Sequence, residues 1–148
     1  MDWRAQRVII LGAARQGIAL ARYLAGKGAA VVLSDAAADL PEARAALQDL
    51  PVEWALGGHP EELLDGATLV CPSGGVPLTI PLIEKALYRH IPLSNDSQIF
   101  LEAVPCKVIG ITGSAGKTTT TTLVGRMAEA AVGLDTGLHR AWMGVGWS

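Results

Sequence analysis

Two glycine-rich loops carry the residue types that handle phosphate. The first is Gly12-Ala13-Ala14-Arg15-Gln16-Gly17, which follows an apolar run and opens a helical pattern, the setting that a G-x-G-x-x-G fingerprint requires. Backbone N–H groups at such a helix start face an anion, and the helix dipole favours negative charge there. Ala14 holds the middle position, and its Cβ hinders the close pyrophosphate approach of dinucleotide enzymes. That speaks against an NAD(P)-dependent oxidoreductase. Asp35 closes the next apolar run, where a carboxylate can accept hydrogen bonds from a ribose or a base. Ser73-Gly74-Gly75 forms another turn after a later strand pattern, at the strand ends where ligands of open α/β sheets collect. The bland alternatives are a turn kept for packing, a solvated Asp35 and an ordinary Gly-Ser turn.

The remaining loop is Gly110-Ile111-Thr112-Gly113-Ser114-Ala115-Gly116-Lys117-Thr118-Thr119. It departs from the strict G-x-x-x-x-G-K-[ST] spelling because Ile111 stands five residues before Gly116. The working parts are still present: glycines for unusual backbone angles, a lysine for outer phosphates and a hydroxyl on Thr118 for Mg²⁺. Thr118 to Thr122 is an unbroken threonine run, a poor helix opener because χ1 is stiff. A chance turn does not account for it well.

Such loops need strands and helices to hold them. Strand-length apolar runs occur at Val8–Leu11, Ala30–Leu33, Val52–Leu56, Thr68–Cys71 and Ile91–Leu93. Helical spacing occurs from Ile18 to Leu24, from Pro41 to Leu50, in a short segment at His59–Leu64 and from Pro81 to Arg89. This alternation predicts an α/β fold: a Rossmann-like parallel sheet with helices on both faces, over residues 1–94. Residues 95–148 read as a linking helix at Ser97–Ala103, a strand at Val108–Ile111, the phosphate loop and a helix at Lys117–Ala131. One strand and one helix bury too little for an independent core, so this is expected to be the start of an incomplete ATP-binding domain.

Composition narrows the function classes. Twelve basic residues against fourteen acidic ones, net −2, and 5% aromatic residues disfavour nucleic acid gripped by bulk charge or by base stacking. No apolar run approaches the ~20 residues of a spanning helix, and nothing resembles a signal peptide. A cytoplasmic protein without a membrane partner is expected. Cys71 and Cys106 sit in apolar stretches and read as reduced, buried thiols. His59, His90 and His139 lack metal-site spacing and read as solvated or capping residues. No pair of catalytic carboxylates stands out.

Together the motifs resemble the front of the Mur ligases, most nearly their D-glutamate-adding branch. The resemblance covers residues 5 to about 131. It rests chiefly on Ile109 to Thr119, with support from Ile10 to Ala21, Ser34-Asp35, Ser73 to Pro77 and Ile91 to Leu101. It implies a ligase of peptidoglycan synthesis in three domains, joining D-glutamate to UDP-N-acetylmuramoyl-L-alanine through an acyl phosphate made with ATP and Mg²⁺. It further implies that Arg15, Gln16, Asp35, Ser73, Gly74 and Gly75 lie near the uridine diphosphate. Gly113, Ser114, Ala115, Gly116, Lys117, Thr118 and Thr119 would cradle ATP, with Thr118 on the metal.

There are departures. Ala115 replaces the family's Asn, Gly74 replaces the Pro of Ser-Pro-Gly, and Ala36-Ala37 follow Asp35 without polar side chains. After Lys117 there is no further lysine, and the only acids after Thr118 are Glu129 and Asp135. The family's carbamylated lysine and central Mg²⁺ carboxylate are therefore missing from these residues. The expectation is the amino-terminal part of such a ligase, cut short, with Leu138 to Trp142 reading as sequence out of the family's frame. It should bind without catalysing, D-glutamate joining only if the third domain is supplied. The alternative is a standalone nucleotide or nucleotide-sugar binding module.

Overall fold

The computed structural model describes residues 2–105 and 108–132. They fall into two compact units, Met1–Val104 and Pro105–Ser148. The expectations for Cys106, His139 and the stretch from Gly133 to Ser148 lie outside the described residues.

The first unit is built on strands β1 (Arg7–Leu11), β2 (Ala30–Asp35), β3 (Val52–Leu56) and β4 (Leu69–Pro72). They form one parallel sheet in the order β3-β2-β1-β4. Each strand presents alternate residues to opposite faces, and both faces are buried. Val8, Ile10, Val31, Leu33 and Cys71 pack on one side against helix α1 (Arg15–Gly26), through Leu20, Ala21 and Leu24. Ile9, Leu11, Val32 and Val70 pack on the other side against Leu64 of a 3-10 turn (Glu61–Leu64) and Leu82, Ile83 and Ala86 of helix α3 (Pro81–Tyr88). Each fully buried Leu or Ile of this kind contributes about 1.5–3 kcal/mol. The doubly covered parallel sheet expected from continuous apolar strands is therefore present.

Three elements differ from their sequence patterns. The Ile91–Leu93 run forms only an isolated parallel bridge, Val70 to Leu93. Pro92 sits in its middle and has no N–H to extend a ladder; its carbonyl accepts from Val70 N–H at 3.0 Å. Helix α2 stops at Ala46 (Pro41–Ala46) instead of running to Leu50. The guanidinium of Arg22 donates to the Ala46 carbonyl and also reaches Asp49, tying down the helix end. The Ser97–Ala103 pattern is helix α4 (Asp96–Ala103), capped by Asn95, whose side chain accepts from Gln98 N–H at 2.8 Å. Ile99 of this helix is buried with the α1 face of the sheet. The first compact unit thus runs to Val104 and takes α4 with it.

In the second unit, helix α5 (Lys117–Val132) forms as expected. Its threonine run back-bonds along the helix: Thr121 and Thr122 hydroxyls donate to the Lys117 and Thr118 carbonyls at 2.8 and 2.9 Å, a contact that slightly weakens a helix but gives the hydroxyls partners. The strand expected at Val108–Ile111 is not formed. Among the described residues this unit contains no partner strand, and a strand without a ladder leaves its backbone groups unpaired. Val108 and Ile109 are exposed instead.

Candidate functional site

In the first unit the chain leaves β1 toward β2 on one side and returns to β4 on the other. That switch of direction opens a crevice beyond the carboxyl ends of β1 and β4, where open α/β sheets bind ligands. Gly12 turns the chain there with φ of 94°. A Cβ at Gly12 would come within 3.1 Å of Ser73 Cβ. Gly17 lies over the same turn, and a Cβ on it would stand 1.9 Å from the Gly12 carbonyl oxygen. The last glycine of the fingerprint is thus required for helix-to-strand approach, while the middle position is Ala14, the helix N-cap. No side chain caps α1, so the first amides of the helix point outward unclaimed by a capping group.

The flanking loops are tied to this turn. Ser73 N–H donates to the Leu11 carbonyl at 2.8 Å, and its hydroxyl donates to the Gly12 carbonyl at 3.3 Å. Val76 N–H closes the Ser73 turn at 2.9 Å, leaving Gly74 and Gly75 exposed at its tip. Asp35 spans two loops: Oδ2 accepts from Ala13 N–H at 2.7 Å and Oδ1 from Ala37 N–H at 2.9 Å. Partial burial pushes its carboxyl upward, but the bonds from Ala13 and Ala37, with His59 nearby, outweigh this and hold it below the usual carboxylate range. Each oxygen keeps a further lone pair. Asp35 is therefore a brace as well as an acceptor, and not a merely solvated turn residue. Arg15 is exposed and Gln16 half-buried in the first turn of α1.

One part of this mouth was not evident from the sequence. Gly57-Gly58-His59 follows β3, with φ of 87° and 147° at the two glycines. Gly57 N–H donates to the Ala37 carbonyl and Gly58 N–H to the Asp35 carbonyl, at 2.9 and 3.0 Å. His59 Nδ1 lies 2.8 Å from the hydroxyl of Ser34. His59 is half-buried and bonded rather than simply solvated. Paired glycines directly after a strand, at the same sheet end as the other loops, were the available signal. Cys71, next to this mouth, is a buried thiol as expected; burial, with help from the charge of Asp96, pushes its pKa up to about 12.

In the second unit Gly113 and Gly116 take φ of 153° and 77°. Lys117 Nζ donates to the Gly113 carbonyl, across the loop. Ser114, Ala115, Thr118 and Thr119 are exposed. A loop whose glycines adopt left-handed angles, with a lysine folded over it and a hydroxyl at the helix start, fits phosphate. For Mg²⁺ it offers only the Thr118 hydroxyl, and among the described residues no group of three or more His, Cys, Asp or Glu could hold a metal. No helix among them is long and apolar enough to cross a membrane.

The family model for the Mur ligase MurD-like, N-terminal domain matches residues 6–95. The chain belongs to that family. The MurD-like relatives are similar over more of the chain than that model. The UDP-N-acetylmuramoylalanine–D-glutamate ligase of Exiguobacterium sibiricum is 41% identical over 119 residues, covering 80% of this chain and 26% of the relative. That of Pelotomaculum thermopropionicum is 38% identical over 139 residues, covering 91% and 30%. Among solved structures, a murein peptide ligase from Psychrobacter arcticus superposes with a TM-score of 0.61 at 27% identity, covering 85% of this chain and 27% of that one. The chain thus spans under a third of the length of these relatives. The family domain lies wholly within the first unit, where the crevice, Asp35 and the Ser73 turn meet.

Proposed function

We propose that these residues are the substrate-holding front of a UDP-N-acetylmuramoyl-L-alanine–D-glutamate ligase of peptidoglycan synthesis. The first unit takes the uridine diphosphate of UDP-N-acetylmuramoyl-L-alanine. Its diphosphate meets the uncapped start of α1 around Arg15 and Gln16, and the turn at Ser73, Gly74 and Gly75. Asp35 accepts from the base or ribose with the lone pairs left free by Ala13 and Ala37. The observation that carries the reading is the joining of Gly12, Asp35 and Ser73 into one mouth at the switch point of a MurD-like domain.

Gly113 to Thr119 hold the phosphates of ATP, with Lys117 as the cation and Thr118 as a ligand to Mg²⁺. The metal, when bound, neutralises charge on the phosphates. Phosphoryl transfer needs that neutralisation from several directions. Lys117 is the last lysine of the sequence, and only Glu129 and Asp135 follow as acids. The loop offers the metal only the Thr118 hydroxyl among the described residues, so these residues by themselves bind and do not turn over.

Calorimetry on the 148-residue chain tests this. UDP-N-acetylmuramoyl-L-alanine and ATP should both bind. Lys117→Ala should weaken ATP by tenfold or more (about 1.4 kcal/mol or above) and leave the UDP substrate untouched. Loss of both ligands together would overturn the division of labour, and turnover in the presence of D-glutamate would overturn the inactivity.

A further inference from the structure

Ser34 is the one polar side chain fully buried among the described residues. It stands at the centre of the mouth described above. Its carbonyl accepts from Gly12 N–H at 2.8 Å. Its hydroxyl lies 3.0 Å from the Gly58 carbonyl and 2.8 Å from His59 Nδ1. A hydroxyl has one proton to give and two lone pairs. A carbonyl can only accept, so the Ser34 proton goes to Gly58. The bond from the ring must then run the other way, with Nδ1–H donating to Ser34 Oγ. This leaves the Nε2 lone pair of the neutral ring free. The arrangement also satisfies every buried polar atom of the cluster, as burial demands.

We propose that His59 is a positioning residue for the base end of the nucleotide: through Ser34 and Gly58 it fixes the strand end that carries Asp35. This rests on the reading of the first mouth as a uridine diphosphate site. Gly58 N–H donates to the Asp35 carbonyl and Gly57 N–H to the Ala37 carbonyl. The Gly57–His59 loop is thereby fastened to residues 34 to 37 by backbone and side chain alike. Asp35 in turn holds the Ala13 amide. Freed of His59, the loop keeps its two backbone bonds but loses the one that pins Ser34 from the side. The first turn of α1 receives no direct bond from His59 and is reached only through Ser34 and Asp35, so the diphosphate end should depend on it less.

The test uses the 148-residue chain with UDP and inorganic pyrophosphate as probes. His59→Leu should weaken UDP by about tenfold, the size expected for a buried hydrogen-bonding group lost from the network, and weaken pyrophosphate clearly less. His59→Asn, which keeps an N–H near the place of Nδ1, should restore most of the loss. Nitrogen-15 NMR of the wild-type ring should show the neutral tautomer protonated at Nδ1. Equal losses for UDP and pyrophosphate, or no rescue by asparagine, would reduce His59 to a general support of the loop and overturn the proposal. An Nε2–H tautomer would also overturn it. If the wild-type chain binds UDP and His59→Leu binds it equally well, the positioning role alone fails. If the wild-type chain binds no UDP, the uridine diphosphate reading fails and the positioning role goes with it.

Discussion

The two phosphate-type loops of this chain are held in opposite ways. The turn after β1 is gripped on all sides: Gly17 presses on it from α1, Ser73 bonds it from β4, and Asp35 and Ser34 bond it from β2. The loop before α5 is held by the helix it opens and by its own lysine, and its glycines would meet almost nothing if given a Cβ. In the first case loop geometry is a property of the sheet and its core. In the second it is a property of local backbone preference. Substitutions at chemically similar positions should therefore have unequal consequences.

The largest contrast is between Gly17 and Gly116. A methyl at Gly17 collides with the Gly12 carbonyl oxygen at 1.9 Å, and backbone on both sides must shift. Gly17→Ala should destabilise the first unit by about 3 kcal/mol, the upper range of overpacking, with a matching drop in the urea midpoint. Gly116→Ala meets no atom and suffers only its φ of 77°, a strain of about 1–2 kcal/mol confined to the loop. It should leave first-unit unfolding unchanged. Equal midpoints for the two variants would break the comparison.

Asp35 gives an intermediate effect, readable by pH. Its folded pKa lies below the ordinary value of 3.8. The folded protein therefore binds this proton less readily than the unfolded chain. The stabilisation is present above the unfolded value and is lost as pH falls through the lowered folded one. Asp35→Asn should remove that dependence, flattening the acid limb of the stability profile at and below the ordinary value of 3.8. At neutral pH it should cost about 1 kcal/mol, since an amide nitrogen cannot accept one of the two N–H bonds. An unchanged acid limb in urea titrations at stepped pH would show that Asp35 is not the brace assigned to it.

What was legible in the sequence follows the same division. The strands of the first unit and its helix α1 carry strong apolar patterns, and burial on both sheet faces makes these patterns decisive. Boundaries were misread where a single side chain or a single missing donor decides them. Pro92 cancels a strand, and Arg22 bonds the end of α2. The Gly12 turn stood out because Gly12 to Gly17 joins a strand pattern to a helix, and Asp35 and Ser73 because each directly follows a strand pattern. Their mutual bonds were not legible, since Ser73 and Asp35 lie far from Gly12 in sequence. His59 escaped for the same reason: its partner Ser34 sits on another strand end. Val108–Ile111 looked like a strand from composition alone, but a strand also needs a neighbour, and none is available in its own unit among the described residues.

The smallest expected effect isolates the ligand from the fold. Gly75 lies at the tip of the Ser73 turn, its φ is not in the left-handed range, and a Cβ there meets nothing within 4 Å. Gly75→Ala should therefore stay within about 0.5 kcal/mol of wild-type stability, as for surface positions without special geometry. Any loss of affinity for the UDP substrate must then come from the ligand side, because the added methyl has space on the protein side. A severalfold weaker dissociation constant with an unchanged urea midpoint would place the diphosphate against the turn. Full affinity with full stability would move it away from Gly75 and toward the start of α1. A fall in stability would mean that even the tip of this mouth is clamped more tightly than the contacts around it suggest.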